Sequence, residues 1–163
     1  SDLTEFYSKS LEQDKLDIDI KYNNKILHQS KLVKYFGKEN VSNKKIEKDL
    51  NNYLKKVKKS KTNYLITKDI ILIEAMVSDG IEIKDEYKDL FNSKESTIPT
   101  DIQILINDRE IGMAVLRLIE IIGQDKIEDL GSETLYFLIN ALNQMNIDPI
   151  RNEILYSVLP LRA

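Results

Sequence analysis

Residues 107–158 decide the fold, and they read NDREIGMAVLRLIEIIGQDKIEDLGSETLYFLINALNQMNIDPIRNEILYSV. Apolar residues recur at every third or fourth position of this stretch, which is the period of α-helices that bury one face. An N-x-x-E capping box, glycine stops and an Asp148-Pro149 start divide it into segments. The pattern predicts three helices: one over 108–122, one that Ser132 caps and one that begins at Asp148.

The helix over 108–122 is predicted to be buried. It begins after the capping box, ends at Gly123 and carries apolar residues at helical spacing. Its Gly112 and Ala114 would let another helix approach closely. The two helices that follow are separated by about three residues, so we expect them to form an αα-hairpin.

A central helix is predicted over Ile70–Val77, because this run is apolar nearly all round. Gly80 follows the run and suits the left-handed residue after a helix end. A buried parallel strand over Ile70–Ile73 is the competing interpretation, which the following Glu-Ala-Met and the glycine disfavour. Shorter helices are expected over 86–91 and 101–106.

The first sixty residues are more polar but still predict helices, over 26–36 and after Ser42. In Leu16–Tyr22 apolar and charged residues alternate, which indicates one short extended segment. The fold class expected from the whole pattern is all-α: an irregular, α-solenoid-like array of αα-hairpins. We predict that residues 1–163 form a single helical domain.

Charge divides the chain into two parts. Residues 1–61, the basic helical part, hold 15 basic and 9 acidic side chains, whereas residues 62–163, the acidic and more apolar core, hold 9 and 18. The candidate binding residues for a polyanion or an acidic partner are Lys44, Lys45, Lys48, Lys55, Lys56, Lys58 and Lys59. This stretch contains no arginine for bidentate phosphate recognition, and lysine, isoleucine and asparagine are abundant throughout the chain. Nucleic acid is therefore a disfavoured partner, and a solvated face or attraction to the acidic part is preferred.

The residue types disfavour the common catalytic sites. The chain has no cysteine, which excludes thiol nucleophiles, Cys-based zinc sites and disulfides, and its five glycines form no phosphate-binding loop. The single His28 has Ser30 nearby on the same predicted helix, pointing elsewhere, so no triad is indicated. Asp17 and Asp19 could face one cation but lack the other ligands of a calcium site. We predict no catalytic residue, metal or cofactor.

Three charged residues interrupt helices that otherwise look buried: Glu74, Arg117 and Glu120. A buried carboxylate must be paired, protonated or turned toward a groove. We predict that these groups form a core ion pair between the two central helices. A functional carboxylate with a shifted pKa is the alternative.

Three stretches carry a resemblance: HQSKLVKYF at 28–36, KDIILIEAMVSDGIEI at 68–83, and residues 132–160. They resemble the C-terminal helical region of large uncharacterised alphaproteobacterial proteins, some of them exported. The resemblance implies an all-helical terminal domain and favours a bacterial envelope or periplasm over cytoplasm. The chain starts at Ser1, which we interpret as a fragment or a mature form, and no apolar run approaches the roughly 18 residues of a membrane span.

The function expected from the sequence is that of a non-catalytic helical module. It would serve protein–protein interaction or structure within a larger protein, with another protein or the rest of its own chain as partner. Two alternatives stay open: an acid–base enzyme that uses Asp and Glu carboxylates, and a lysine-mediated binder of nucleic acid or anionic lipid.

Overall fold

The structure, a computed structural model, describes residues 35–36, 41–61, 65–91 and 98–158. These residues contain α-helices, one 3-10 helix and no strand, which confirms the all-α fold. The α-helices are α1 (Asn43–Lys59), α2 (Thr67–Ser78), α3 (Asp85–Lys88), α4 (Thr100–Asn107), α5 (Ile111–Ile122), α6 (Ser132–Met145) and α7 (Asp148–Val158). The 3-10 helix, Ile127–Asp129, lies between α5 and α6.

Helices α1 and α2 show how composition sets burial. In α1 the apolar residues share one face, which is buried, and lysines cover the opposite face. Helix α2 is apolar on nearly every side, and most of its side chains from Ile70 to Met76 are buried. The prediction of a central helix at this position is therefore confirmed, and the strand alternative is wrong.

Three helices end in the same kind of turn. The residue after α2, α4 and α6 that reverses the chain has a positive φ: 92° at Gly80, 60° at Arg109 and 57° at Asn146. In each turn the next backbone N–H donates to the carbonyl oxygen five residues earlier, which is the Schellman arrangement. The pairs are Ile81 to Met76 (3.0 Å), Glu110 to Leu105 (2.9 Å) and Ile147 to Leu142 (3.2 Å).

The capping box predicted at Asn107–Glu110 does not form. Asn107 is the last residue of α4, and its Oδ1 accepts a hydrogen bond of 2.9 Å from Gln103 Nε2. Asn107 still belongs to α4, which ends in the left-handed turn at Arg109, so Asn107 cannot cap α5. Helix α5 begins at Ile111 without a side-chain cap.

The buried residues form one hydrophobic cluster to which most of the described helices contribute. Helix α2 packs against α6, α4 packs against α5 and α6, α7 packs against α6 and the 3-10 helix, and α1 packs against α3. Helices α2 and α6 are far apart in sequence, whereas the repeats of a solenoid contact only their neighbours. The α-solenoid-like arrangement is therefore not confirmed, while α6 and α7 do pack as the predicted hairpin.

Several predictions concern residues outside the described ranges. The extended segment near 16–22, the helix over 26–36 apart from its last two residues, and His28, Asp17 and Asp19 all lie there. The single domain over 1–163 stays a prediction.

Candidate functional site

Helix α5 carries an apolar face that no described residue covers. Met113, Leu116 and Ile119 follow one another at intervals of three residues, and they are 53%, 55% and 57% exposed. The opposite side of the helix is buried at Ala114 and Leu118. We call the three exposed residues the α5 apolar face. The prediction that this helix is buried is therefore wrong for the side that carries Met113, Leu116 and Ile119.

The neighbouring helix α4 extends this apolar surface. Arg117 Nε donates a 2.8 Å hydrogen bond to Asp101 Oδ2, so these two residues lie opposite each other in the α4–α5 hairpin. Ile104 lies one turn after Asp101, and Met113 lies one turn before Arg117, so the register of the hairpin places both on the same side. Ile104 is also exposed. Both helices of the hairpin therefore expose large apolar side chains, and contiguous exposed apolar surface marks interaction sites.

The core ion pair predicted for Glu74, Arg117 and Glu120 does not form. Arg117 Nη1 does bond Glu120 Oε2 at 2.7 Å, but these side chains are 43% and 64% exposed and that of Asp101 is 51% exposed, so none of them lies in the core. The hydrogen bond to Arg117 lowers the pKa of Asp101, and the bonds to both carboxylates raise the pKa of Arg117. These three groups form a surface cluster, because α5 turns this side to solvent.

Glu74 lies elsewhere, in an open groove between α2 and α6. Its Oε1 accepts a 3.1 Å hydrogen bond from the hydroxyl of Tyr136. Burial raises the pKa of the Glu74 carboxyl, and the hydrogen bond from Tyr136 opposes that shift. Burial, together with the charge of Glu74, raises the pKa of Tyr136 to about 12.

The groove beside Glu74 is lined by neutral side chains apart from Glu74 itself. It encloses about 400 Å³ and is lined by Glu74, Val77, Ser78, Tyr136, Asn140, Asn143 and Gln144. Among these described residues Glu74 is the single carboxylate, whereas the acid–base hypothesis requires two that converge. The groove therefore offers hydrogen-bonding amides and one half-buried acid.

An ion pair that the sequence did not predict joins α7 to the end of α2. Arg151 has a fully buried side chain, and its Nη1 and Nη2 donate to Oδ1 and Oδ2 of Asp79 at 2.8 and 2.6 Å. Arg151 also donates to Asn143 at 3.0 Å and to Asn152 at 2.9 and 3.1 Å. Tyr35 donates its hydroxyl proton to Asp79 Oδ2 at 2.8 Å. Burial, reinforced by this contact, raises the pKa of Tyr35.

A sequence signal for this pair exists but is weak. Arg151 follows Ile147 by four residues and precedes Ile154 and Leu155 by three and four, so it lies on the apolar face of α7. A charged residue at such a position needs a buried partner. Nothing in the sequence identifies Asp79, which is 72 residues away, as that partner.

The seven candidate lysines all lie on the exposed face of α1. They form two groups, Lys44, Lys45 and Lys48 near its start and Lys55, Lys56, Lys58 and Lys59 near its end. Lys58 Nζ donates to the backbone oxygen of Glu86 at 2.6 Å and lies 5.8 Å from the centre of the Tyr87 ring. None of the seven forms a salt bridge with a carboxylate in the part of the chain that the structure describes.

The basic and acidic parts of the chain also meet through hydrogen bonds between side chains of α1 and the backbone of residues 82–84. Asn51 on α1 donates to the backbone oxygen of Glu82 at 3.1 Å and accepts from the backbone N–H of Lys84 at 3.0 Å. Glu47 Oε1 accepts from the backbone N–H of Glu82 at 3.2 Å. Side chains of α1 therefore hold the segment between α2 and α3 in place.

The described residues contain no group of three His, Asp or Glu side chains that could hold a metal ion. Within the same ranges no helix combines the length and the apolar character that crossing a bilayer requires. The comparisons match the chain to no family model, no curated protein and no solved structure.

Proposed function

We propose that this helical domain is an interaction or structural module of a larger protein, and that the α5 apolar face is its docking surface. The observation that carries the proposal is the exposure of Met113, Leu116 and Ile119 on a helix whose other side is packed in the core. Three large apolar side chains that are each more than half exposed leave apolar area in contact with water, which is unfavourable. A partner that covers the free side removes this apolar area from water.

The α5 apolar face lies on a helix whose other side is packed in the core. Leu118 and Ala114 anchor α5 in the core, and the bond from Arg117 to Asp101 ties the helix to α4. A surface that is already ordered loses little entropy when it binds, which favours affinity. The face is therefore suited to a preformed contact with an apolar surface of another protein.

The test is affinity capture with the 163-residue chain as bait in an extract of the cells that produce it. Leu116→Ser and Ile119→Ser make the α5 apolar face polar, while Ile150→Ser and Tyr156→Ser are matched changes at exposed apolar residues of α7. We expect the captured partner to be lost with both α5 variants and kept with both α7 variants. Equal capture by all four variants would overturn the proposal.

A second candidate function rests on the lysine face of α1. Its seven side chains are exposed, and they have no carboxylate partner among the described residues. Such a face could bind a polyanion through charge alone, with an affinity that falls steeply as salt rises. The test is a salt titration of binding to a DNA duplex and to anionic vesicles, with Lys55→Gln and Lys56→Gln as weakened variants. Absence of binding at low ionic strength removes this candidate.

A further inference from the structure

The groove between α2 and α6 contains a carboxylate without a counter-charge. Glu74 is half-buried there, and its Oε1 accepts the hydrogen bond from Tyr136. No lysine or arginine in the described ranges forms an ion pair with Glu74, and no donor in them bonds its Oε2. Burial raises the pKa of this carboxyl, as expected for an acid that no positive charge stabilises. The groove is therefore complementary to a cationic group.

The groove runs along both helices, because α2 and α6 point in the same direction. At one end Tyr136 of α6 bonds Glu74 of α2. Farther along, Arg151 bonds both Asn143 of α6 and Asp79 at the end of α2. Residues of α6 that follow Tyr136 therefore lie beside residues of α2 that follow Glu74.

Beyond Glu74 the groove offers N–H donors and an apolar wall. Asn143 and Gln144 use their side-chain oxygens for hydrogen bonds within the domain, at 3.0 and 2.8 Å, so their NH2 groups remain as donors. Asn140, one helical turn before Gln144, forms no side-chain hydrogen bond to another described residue. Val77 lies one turn after Glu74 and exposes its side chain to the groove. The groove thus combines an acceptor for a cation, an apolar surface and donors for a carbonyl oxygen.

We infer that this groove binds a lysine side chain of a polypeptide, with its ammonium on Glu74, its aliphatic stem on Val77 and its backbone carbonyl on the amide of Asn140. The stem spans roughly 6 Å over five single bonds, and Asn140 follows Tyr136 by about the same rise along α6. An ammonium needs one free carboxylate oxygen, which Oε2 provides. The guanidinium of arginine pairs best through both oxygens, and Oε1 already accepts from Tyr136. The site is separate from the α5 apolar face and does not depend on the function proposed for that face.

The test is a titration of the 163-residue chain with N-acetyl-lysine methylamide at constant ionic strength, followed by two-dimensional proton–nitrogen NMR. We expect saturable shifts of the side-chain NH2 signals of Asn140, Asn143 and Gln144. The norleucine analogue, which lacks the ammonium, should bind at least about tenfold more weakly, and the arginine analogue should also bind more weakly. Equal binding of the norleucine analogue, or tighter binding of the arginine analogue, would overturn the choice of an ammonium.

Two variants that each remove one negative charge locate the site. Glu74→Gln is expected to weaken binding of the lysine analogue at least about tenfold, because it removes the carboxylate but keeps the shape of the side chain. Glu153→Gln, on the exposed surface of α7, is the matched control and should leave the affinity unchanged. The unliganded NMR spectra show whether both variants keep the fold. The inference is overturned by equal affinities of the two variants, or by the absence of saturable shifts in the unmodified chain.

Discussion

Replacing Arg151 by methionine tests the buried ion pair between α7 and the end of α2. Methionine keeps much of the aliphatic volume of arginine but removes the guanidinium group. The carboxylate of Asp79 would then lose its two hydrogen bonds of 2.6 and 2.8 Å and keep the one from Tyr35. A carboxylate left without its counter-charge in a buried position is destabilising.

The size of the expected loss in the free energy of unfolding depends on how deeply the ion pair is buried. Removing one partner of a buried ion pair costs about 3–5 kcal/mol, and Asp79 retains 16% exposure, so we place the loss near the lower end, at about 3 kcal/mol. Domains have about 5–15 kcal/mol of stability, so the variant loses a large share of it. The matched control is Arg117→Met, whose side chain is 43% exposed beside exposed carboxylates. Its expected cost is below about 1 kcal/mol.

The assay is urea unfolding followed by far-ultraviolet circular dichroism, with the free energy of unfolding extrapolated to water. In thermal unfolding the same loss lowers Tm by roughly 6–12 °C for a chain of this size. If Arg151→Met fails to fold, the double variant with Asp79→Asn removes the stranded charge and is expected to recover part of the stability. A cost for Arg151→Met no larger than that for Arg117→Met would refute the reasoning.

Three further predictions concern single side chains. Leu118→Ala, in the core, is expected to lower the free energy of unfolding by about 2–5 kcal/mol. Leu116→Ala, which is exposed on the same helix, should change it by less than about 0.5 kcal/mol. Similar losses for both variants in denaturant unfolding would contradict the orientation of α5. Glu74→Gln is expected to stabilise the fold at neutral pH by less than about 1 kcal/mol, because burial raises the pKa of this carboxyl while solvent screens its charge, and Tyr136 can still donate to the amide oxygen. A carboxyl whose pKa is raised in the folded state destabilises the fold only as pH rises above its unfolded pKa, because below that pH it is protonated in both states. The stabilisation by Glu74→Gln should therefore vanish below pH 4.5. An unchanged stabilisation at acid pH in unfolding titrations would argue against burial of the Glu74 charge as its cause. Gly80→Ala should cost about 1 kcal/mol or more, because φ is 92° there, and thermal melting checks it.

The helices themselves were largely predictable from the sequence. The end of α2 and the start of α7 carry local signals, which are the glycine after α2 and the Asp148-Pro149 pair that opens α7. Ser132 marks the start of α6, but as its first helical residue after the N-cap Gly131 rather than as the predicted cap. The junction between α4 and α5 was predicted wrongly. Arg109 adopts the left-handed conformation that glycine usually supplies, and an arginine gives no sign of this in the sequence.

The candidate site was less predictable. The sequence indicated that Glu74, Arg117 and Glu120 are charged residues on otherwise apolar helices and predicted that they pair. In the structure Glu74 bonds Tyr136, while Arg117 and Glu120 bond each other. The surface that supports the proposed function was predicted as core. The pattern of α5 has apolar residues on all sides, and periodicity cannot tell which side the rest of the fold covers.

The sequence by itself determined the helical class, most helix boundaries and the division of charge, because these depend on neighbours within a few positions along the chain. The tertiary structure alone decided which charged residues are buried and which apolar residues are exposed. Arg151 finds its carboxylate at the end of another helix, and Leu116 stays exposed because no described helix packs over that side of α5. Both outcomes depend on contacts between segments that are distant in sequence, and a local sequence pattern does not determine which segments pack together.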